Sequence, residues 1–356
     1  MFDRKFLQNQ EMGRWKSDAF ENEELANKIF YDVKKYLKTM PHPFCSWRSI
    51  PNQKLSTIEI NENGLRSPSL KNIKDSNNCM LLGGSVAWGF GSSSNQYIPS
   101  YLIEKHLRNE FKKEINVINF AQNAFNSNDE IRSFMSYVDE IKPKIVIILS
   151  GINDMFHLKH DSNKITNQHK KTLDFFLWGS KYGIIEKQSF LKKIKKFLVR
   201  FGKKIYKPDN LFYEFYKYEK KNIPINLYSH KADIINSYCA LKGIKVVHVL
   251  QPLVIYKKNK SSYENNYLTN WKKNFHLYYY NLDNIDNYYK DLKKNFFNNS
   301  TNNKDCIFID STTFFDDNEE TIFNFSPDMS NADKCKKLRE EYTRWNRQTN
   351  NSNQNI

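Results

Sequence analysis

Short apolar runs alternate with amphipathic stretches through most of the chain. Met80-Leu81-Leu82, Ile115 to Phe120, Lys144 to Leu149, Ile244 to Leu250 and 306–309 read as strands. In the third of these, Ile145-Val146-Ile147-Ile148-Leu149 is apolar throughout, as expected of a strand covered on both faces. Between the strands the apolar positions recur at helical spacing. Ile98, Leu102, Leu107 and Phe111 mark a helix within 97–113; others fall at 129–142, 226–242, within 263–296 and near 331–345. Strands alternating with helices predict an α/β fold, a doubly wound five-stranded parallel sheet in an α/β/α sandwich. Ligand sites in such sheets gather beyond the carboxyl ends of the strands.

The flanks follow other patterns. Phe20, Leu25, Ile29, Phe30, Val33 and Leu37 predict a helix in 1–40 that Pro41 and Pro43 end. An irregular or short-strand lead-in follows at 44–75, with Ile58 and Ile60 alternating, so 1–75 is an extension and 76–345 the main domain. An insertion at 155–225 interrupts that domain. Within it Phe190, Leu191, Ile194, Phe197, Leu198, Phe201 and Ile205 form one stripe, with lysines over much of the rest. The plain reading is a packed helix with a solvated basic face. The sharper one is peripheral contact with an anionic membrane or a partner through 187–221. Residues 346–356 are polar and expected to be disordered.

Composition narrows the picture. The 356 residues carry a net charge of +16, but 45 of the 55 basic residues are lysine. Specific nucleic-acid readers favour the bidentate arginine fork, and no binding module is recognisable, so no specific nucleic-acid partner is expected. The five cysteines are scattered without metal-ligand spacing, so free thiols and no bound metal or other cofactor are expected. No apolar stretch approaches a membrane span, and the start lacks the apolar run of a secretory signal. A cytoplasmic protein is expected.

The chemistry gathers at three strand ends. Gly83-Gly84-Ser85-Val86-Ala87-Trp88-Gly89-Phe90-Gly91 follows the first strand and can present the Ser85 hydroxyl and its N–H to one cleft. Asn119-Phe120-Ala121-Gln122-Asn123-Ala124 follows the second, and Gly151-Ile152-Asn153-Asp154 the third. Acyl transfer needs a nucleophile and preorganised donors for a tetrahedral oxyanion. Ser85 N–H, Ala124 N–H and the Asn153 amide are three candidates. Gln251 ends the fourth strand and is a candidate to line the cleft, with Gly84, Gly151 and Asp154.

These three blocks, in this order, resemble those of the SGNH/GDSL hydrolases, serine hydrolases of esters with a flavodoxin-like fold. The resemblance covers roughly 45–155 and 244–345. It implies Ser85 as nucleophile, Ser85, Ala124 and Asn153 around the oxyanion, and a small-molecule ester, such as an acetylated carbohydrate or a lipid, as substrate. Gly84 stands where many members have Asp, and Ala124 where the oxyanion-hole glycine usually sits. The fourth block departs further. Along Thr321 to Asn331, Phe325 takes the position of the relay Asp and Asp328 that of the His. An aspartate with a reference pKa of ~3.9 is a weak base. His157 and His160, just past the Asn153 loop, read as substitute bases or plain loop residues; His248, alternating with apolar neighbours, reads as a core histidine. Asp310, Asp316 and Asp317 read as loop acids. Two functions stay open: an ester hydrolase with an unorthodox base, and a catalytically inactive relative that binds a glycan or acylated ligand.

Overall fold

The computed structural model describes residues 20, 22–73, 77–154, 227–273, 282–300 and 305–319. The fourth block with Phe325 and Asp328, the segment near 331–345, the tail, and the whole 155–225 insertion with His157 and His160 lie outside the described residues.

Helix α1, Glu23–Tyr31, starts where the Asn22 side chain accepts from Leu25 N, and buries Ala26, Ile29 and Phe30. The helical segment ends before the expected prolines. A π-helical turn, Asp32–Tyr36, closes with Leu37 N donating to Asp32 O, and Leu37 is extended. The Asp32 carboxylate accepts from Thr57 N, Thr57 Oγ1 and Ser56 Oγ, which fixes this end on the lead-in. Pro41 lies instead in β1, Thr39–Pro41, which pairs antiparallel with β2, Trp47–Ser49.

The main sheet holds β3 (Asn77–Gly83), β4 (Ile115–Asn119), β5 (Ile145–Ser150), β6 (Lys245–Leu250) and β7 (Cys306–Asp310). All neighbours are parallel, in the order β4-β3-β5-β6-β7. Between them run α2 (Ser85–Trp88), α3 (Pro99–Phe111), α4 (Ser127–Ile141), α5 (Leu227–Lys242), α6 (Ser262–Lys273) and α7 (Leu282–Ser300).

Strand periodicity divides the core between the two faces of the sheet. Leu81, Val117, Ile147, Leu149, Val247 and Val249 meet α2, α3 and the lead-in's Ile58 and Ile60. Met80, Leu82, Ile118, Val146, Ile148 and Val246 meet Phe134, Val138 and Ile141 of α4 and Ile235 and Cys239 of α5. The fold is α/β, as expected. No described helix is long and apolar enough to cross a membrane.

Candidate active site

The chain reverses from β3 into α2 within two residues. Gly83 sits at φ +147°, and a Cβ there would lie 2.2 Å from Leu149 O. Gly84 is the N-cap, and Ser85, 8% exposed, is the first residue of α2. Among the described residues none bonds to Ser85 Oγ.

Asn153 reaches the same place from β5. The strand ends at Ser150, Gly151 turns at φ +144°, and a short helical segment begins at 152. Asn153 Nδ2 donates to Phe125 O at 2.7 Å. It also lies so close to the Gly84 backbone that a Cβ on residue 84 would be 2.3 Å from it. With a Cβ at position 84, the Asn153 amide would have to shift from this place.

The second loop is a tight turn in which Phe125 N donates to Gln122 O at 3.2 Å. Ala124, its third residue, has φ +61°. That position of a type II turn favours Gly or Asn, and an L-residue in the left-handed region costs ~1–2 kcal/mol. None of the described residues accepts from Ala124 N–H. Asn119 is structural: buried, it donates to Ala87 O at 3.1 Å and accepts from Ala121 N.

The second and third loops are tied together at the start of α4. Asn126 caps the helix and forms a capping box with Asp129. Asp154, 2% exposed, accepts from Ser127 N at 3.1 Å and from Ser127 Oγ. Its carboxylate thus braces Asn153's loop against the helix that follows the Ala124 turn. Gly151 is crowded, a Cβ there meeting Leu250 Cδ1 at 2.8 Å, and Gln251 is 2% exposed with its carbonyl accepting from Tyr289 OH. No cluster of three or more His, Cys, Asp or Glu able to hold a metal occurs among the described residues.

Two of the described histidines are engaged elsewhere. His248 is fully buried, with Nε2 2.8 Å from Asn236 Oδ1, and burial lowers its pKa to about 3. It is the core histidine expected. His42 Nδ1 accepts from Phe44 N and Cys45 N, and burial, then the Arg48 charge, lowers it to about 4. Asp310 pairs with Lys293 at 2.8 Å, and Asp316 accepts from Lys258 N.

Structures of several esterases are similar to this chain. An α/β hydrolase, LAE5, from the metagenome of Lake Arreo is 10% identical, with 78% of this chain and 97% of that one covered, at a TM-score of 0.42. An acetylxylan esterase, Axe2, from Geobacillus stearothermophilus is 12% identical, covering 77% and 95%, at 0.41. A protein described as lipolytic and of the G-D-S-L family, from Desulfitobacterium hafniense DCB-2, is 11% identical, covering 76% and 99%, at 0.38. These likenesses concern the fold. No model of a protein family matches the sequence, and no curated protein matches it.

Sequence reasoning passed over Phe125, Ser127 and Asp129. The capping-box pattern Asn126-x-x-Asp129 was the available signal for the last, whereas nothing local marks the Phe125 carbonyl as the anchor of Asn153. It also passed over Glu130, 2% exposed, which burial and then the Asp154 charge push well above the usual carboxylate range.

Two buried groups give stability an opposed pH dependence. Burial pushes Asp154 up to about 6, against the Ser127 bonds that lower it. Its folded pKa exceeds the unfolded one, so its contribution is lost as pH rises from about 4 to about 6. His248 is lowered instead, so its contribution is lost as pH falls from 6.5 toward about 3. Each slope approaches ~1.4 kcal/mol per pH unit, and between pH ~4 and ~6 they offset each other. Asp154→Asn removes one of them. Its urea-derived stability is expected to fall faster than wild type's from pH ~6 to ~4. Parallel curves would show that Asp154 titrates as an ordinary carboxylate.

Proposed function

We propose that the chain is a serine acyl-ester hydrolase of the SGNH type. The observation that carries this reading is the Asn153 amide, anchored on Phe125 O and set against Gly84 beside Ser85. An amide nitrogen has two hydrogens, and the bond to Phe125 O leaves one for an oxyanion. Ser85 N–H and Ala124 N–H complete the set of donors. In this reading Ser85 Oγ attacks the ester carbonyl, the oxyanion draws on those donors, and the alcohol leaves from an acyl-Ser85 that water then hydrolyses. The substrate is an acyl ester of a carbohydrate or lipid.

The serine proton needs an acceptor, and general-base help is worth ~10²–10⁴-fold. Asp328, His157 and His160 are the candidates. A second reading, binding an acylated ligand or glycan without turnover, is favoured by Phe325 and Asp328 in the relay positions.

A fluorophosphonate probe separates the two. Wild-type protein is expected to be labelled covalently and Ser85→Ala not at all. Labelling that persists in Ser85→Ala excludes Ser85 as nucleophile. Folded wild-type protein that takes no label leaves the binding-only reading.

A further inference from the structure

We propose that residues 46–49 are positioning residues, a strap that holds the strained Gln122–Phe125 turn in the shape an oxyanion hole requires. The role rests on the reading of Ala124 N–H and Asn153 as oxyanion donors. Four consecutive residues of β2 and its approach each grip the segment that follows β4. Ser46 Oγ donates to Asp129 Oδ1 at 2.6 Å, while Asp129 Oδ2 accepts from Asn126 N. The Trp47 ring meets Phe125 edge-on at 5.5 Å. Arg48 donates to Tyr137 OH at 2.8 Å and stacks on that ring, which in turn packs on Phe120. Ser49 Oγ lies 3.4 Å from Gln122 Nε2, which also donates to Gly64 O.

The first and fourth residues of the turn, Gln122 and Phe125, are thus both held from outside. Between them Ala124 keeps a left-handed φ that alanine disfavours. The relaxed alternative, a type I turn with Ala124 at negative φ, turns over the Asn123–Ala124 peptide and points its N–H the other way. A glycine would hold the active shape by its own conformational freedom. Here the strap supplies that order by long-range contact. Phe125 is also the anchor of Asn153, so two of the three oxyanion donors depend on one gripped residue.

The test is a cycle of Trp47→Ala, Ala124→Gly and the double variant, with Trp47→Phe as the conservative control. Fluorophosphonate labelling of Ser85 is expected to slow about tenfold in Trp47→Ala and to recover when Ala124→Gly is added. Trp47→Phe is expected to label near the wild-type rate. Wild-type labelling in Trp47→Ala, or a double variant no faster than the single, overturns the proposal. Hydrogen exchange reads the strap without any chemistry at Ser85. Amides of 122–128 are expected to exchange faster in Trp47→Ala and slower again in the double variant, with β5 unchanged. If wild type takes no label, the hydrolase reading fails while exchange still decides the strap; unchanged exchange at 122–128 overturns it. Ser46→Ala, which deletes one bond to Asp129, provides the same readouts if Trp47→Ala does not fold.

Discussion

An Asn153→Ala variant is expected to react with a fluorophosphonate about 10²–10³-fold more slowly than wild type, with Ser85 still the labelled residue. The size follows from where the amide sits. It is 8% exposed, its orientation is fixed by Phe125 O, and little water is available to replace it. A donor held in place before the reaction stabilises developing negative charge without reorganising, and losing one typically costs ~2.7–4 kcal/mol of transition-state stabilisation. Truncation also frees Phe125 O, so stability needs measurement beside the rate. A variant folded like wild type but slowed less than threefold would show that Asn153 is a brace only. Asn153→Asp sharpens the test, because it nearly keeps the shape while replacing a donor with a negative charge.

Gly83→Ala is expected to be the most damaging single methyl in the serine turn. Its Cβ would stand 2.2 Å from Leu149 O and 2.7 Å from Ala87 Cβ, at φ +147°. The first contact is with the backbone of the neighbouring strand β5, which cannot swing aside as a side chain can. Overpacking of a core costs ~1–3 kcal/mol and unfavourable backbone geometry adds ~1–2 kcal/mol, so about 3 kcal/mol is expected from denaturant unfolding. Gly243→Ala is the control. Its φ is +66°, yet a Cβ there meets nothing within 4 Å, so only the backbone cost remains. Equal losses at the two positions would show that crowding against β5 does not matter.

The sheet was legible because its strands are short apolar runs between amphipathic helices, and because glycines mark the turns that end two of them, at Gly83-Gly84 and Gly151. The loops that carry Ser85, Ala124 and Asn153 were legible for the same reason: each follows a readable strand. The β1–β2 hairpin was not. Three-residue strands are too short to show an alternation, and Pro41 argues against a strand until its partner is known. Asp154 was expected to face a ligand, yet it bonds Ser127, because a buried carboxylate with a partner looks the same in sequence as an exposed one. Gly84 shows the deeper limit. As a letter it is a departure from a motif; only the position of Asn153, 69 residues later, shows what an added side chain would displace.

The grip of residues 46–49 on the Ala124 turn also sets when a site can exist during synthesis. Ser46, Arg48 and Ser49 bond partners 83, 89 and 73 positions further on. At ribosomal speeds of about 5–20 residues per second, the strap is made roughly 4 to 18 seconds before anything it can hold. During that interval Trp47 has no Phe125 to cover and Arg48 no Tyr137. Pairings this distant carry a larger loop-closure entropy than local ones, as do the sheet's own pairs such as Ile148 with His248. The residues that discipline the turn after β4 are therefore among the first translated, and their contacts can exist only once that later segment has been made.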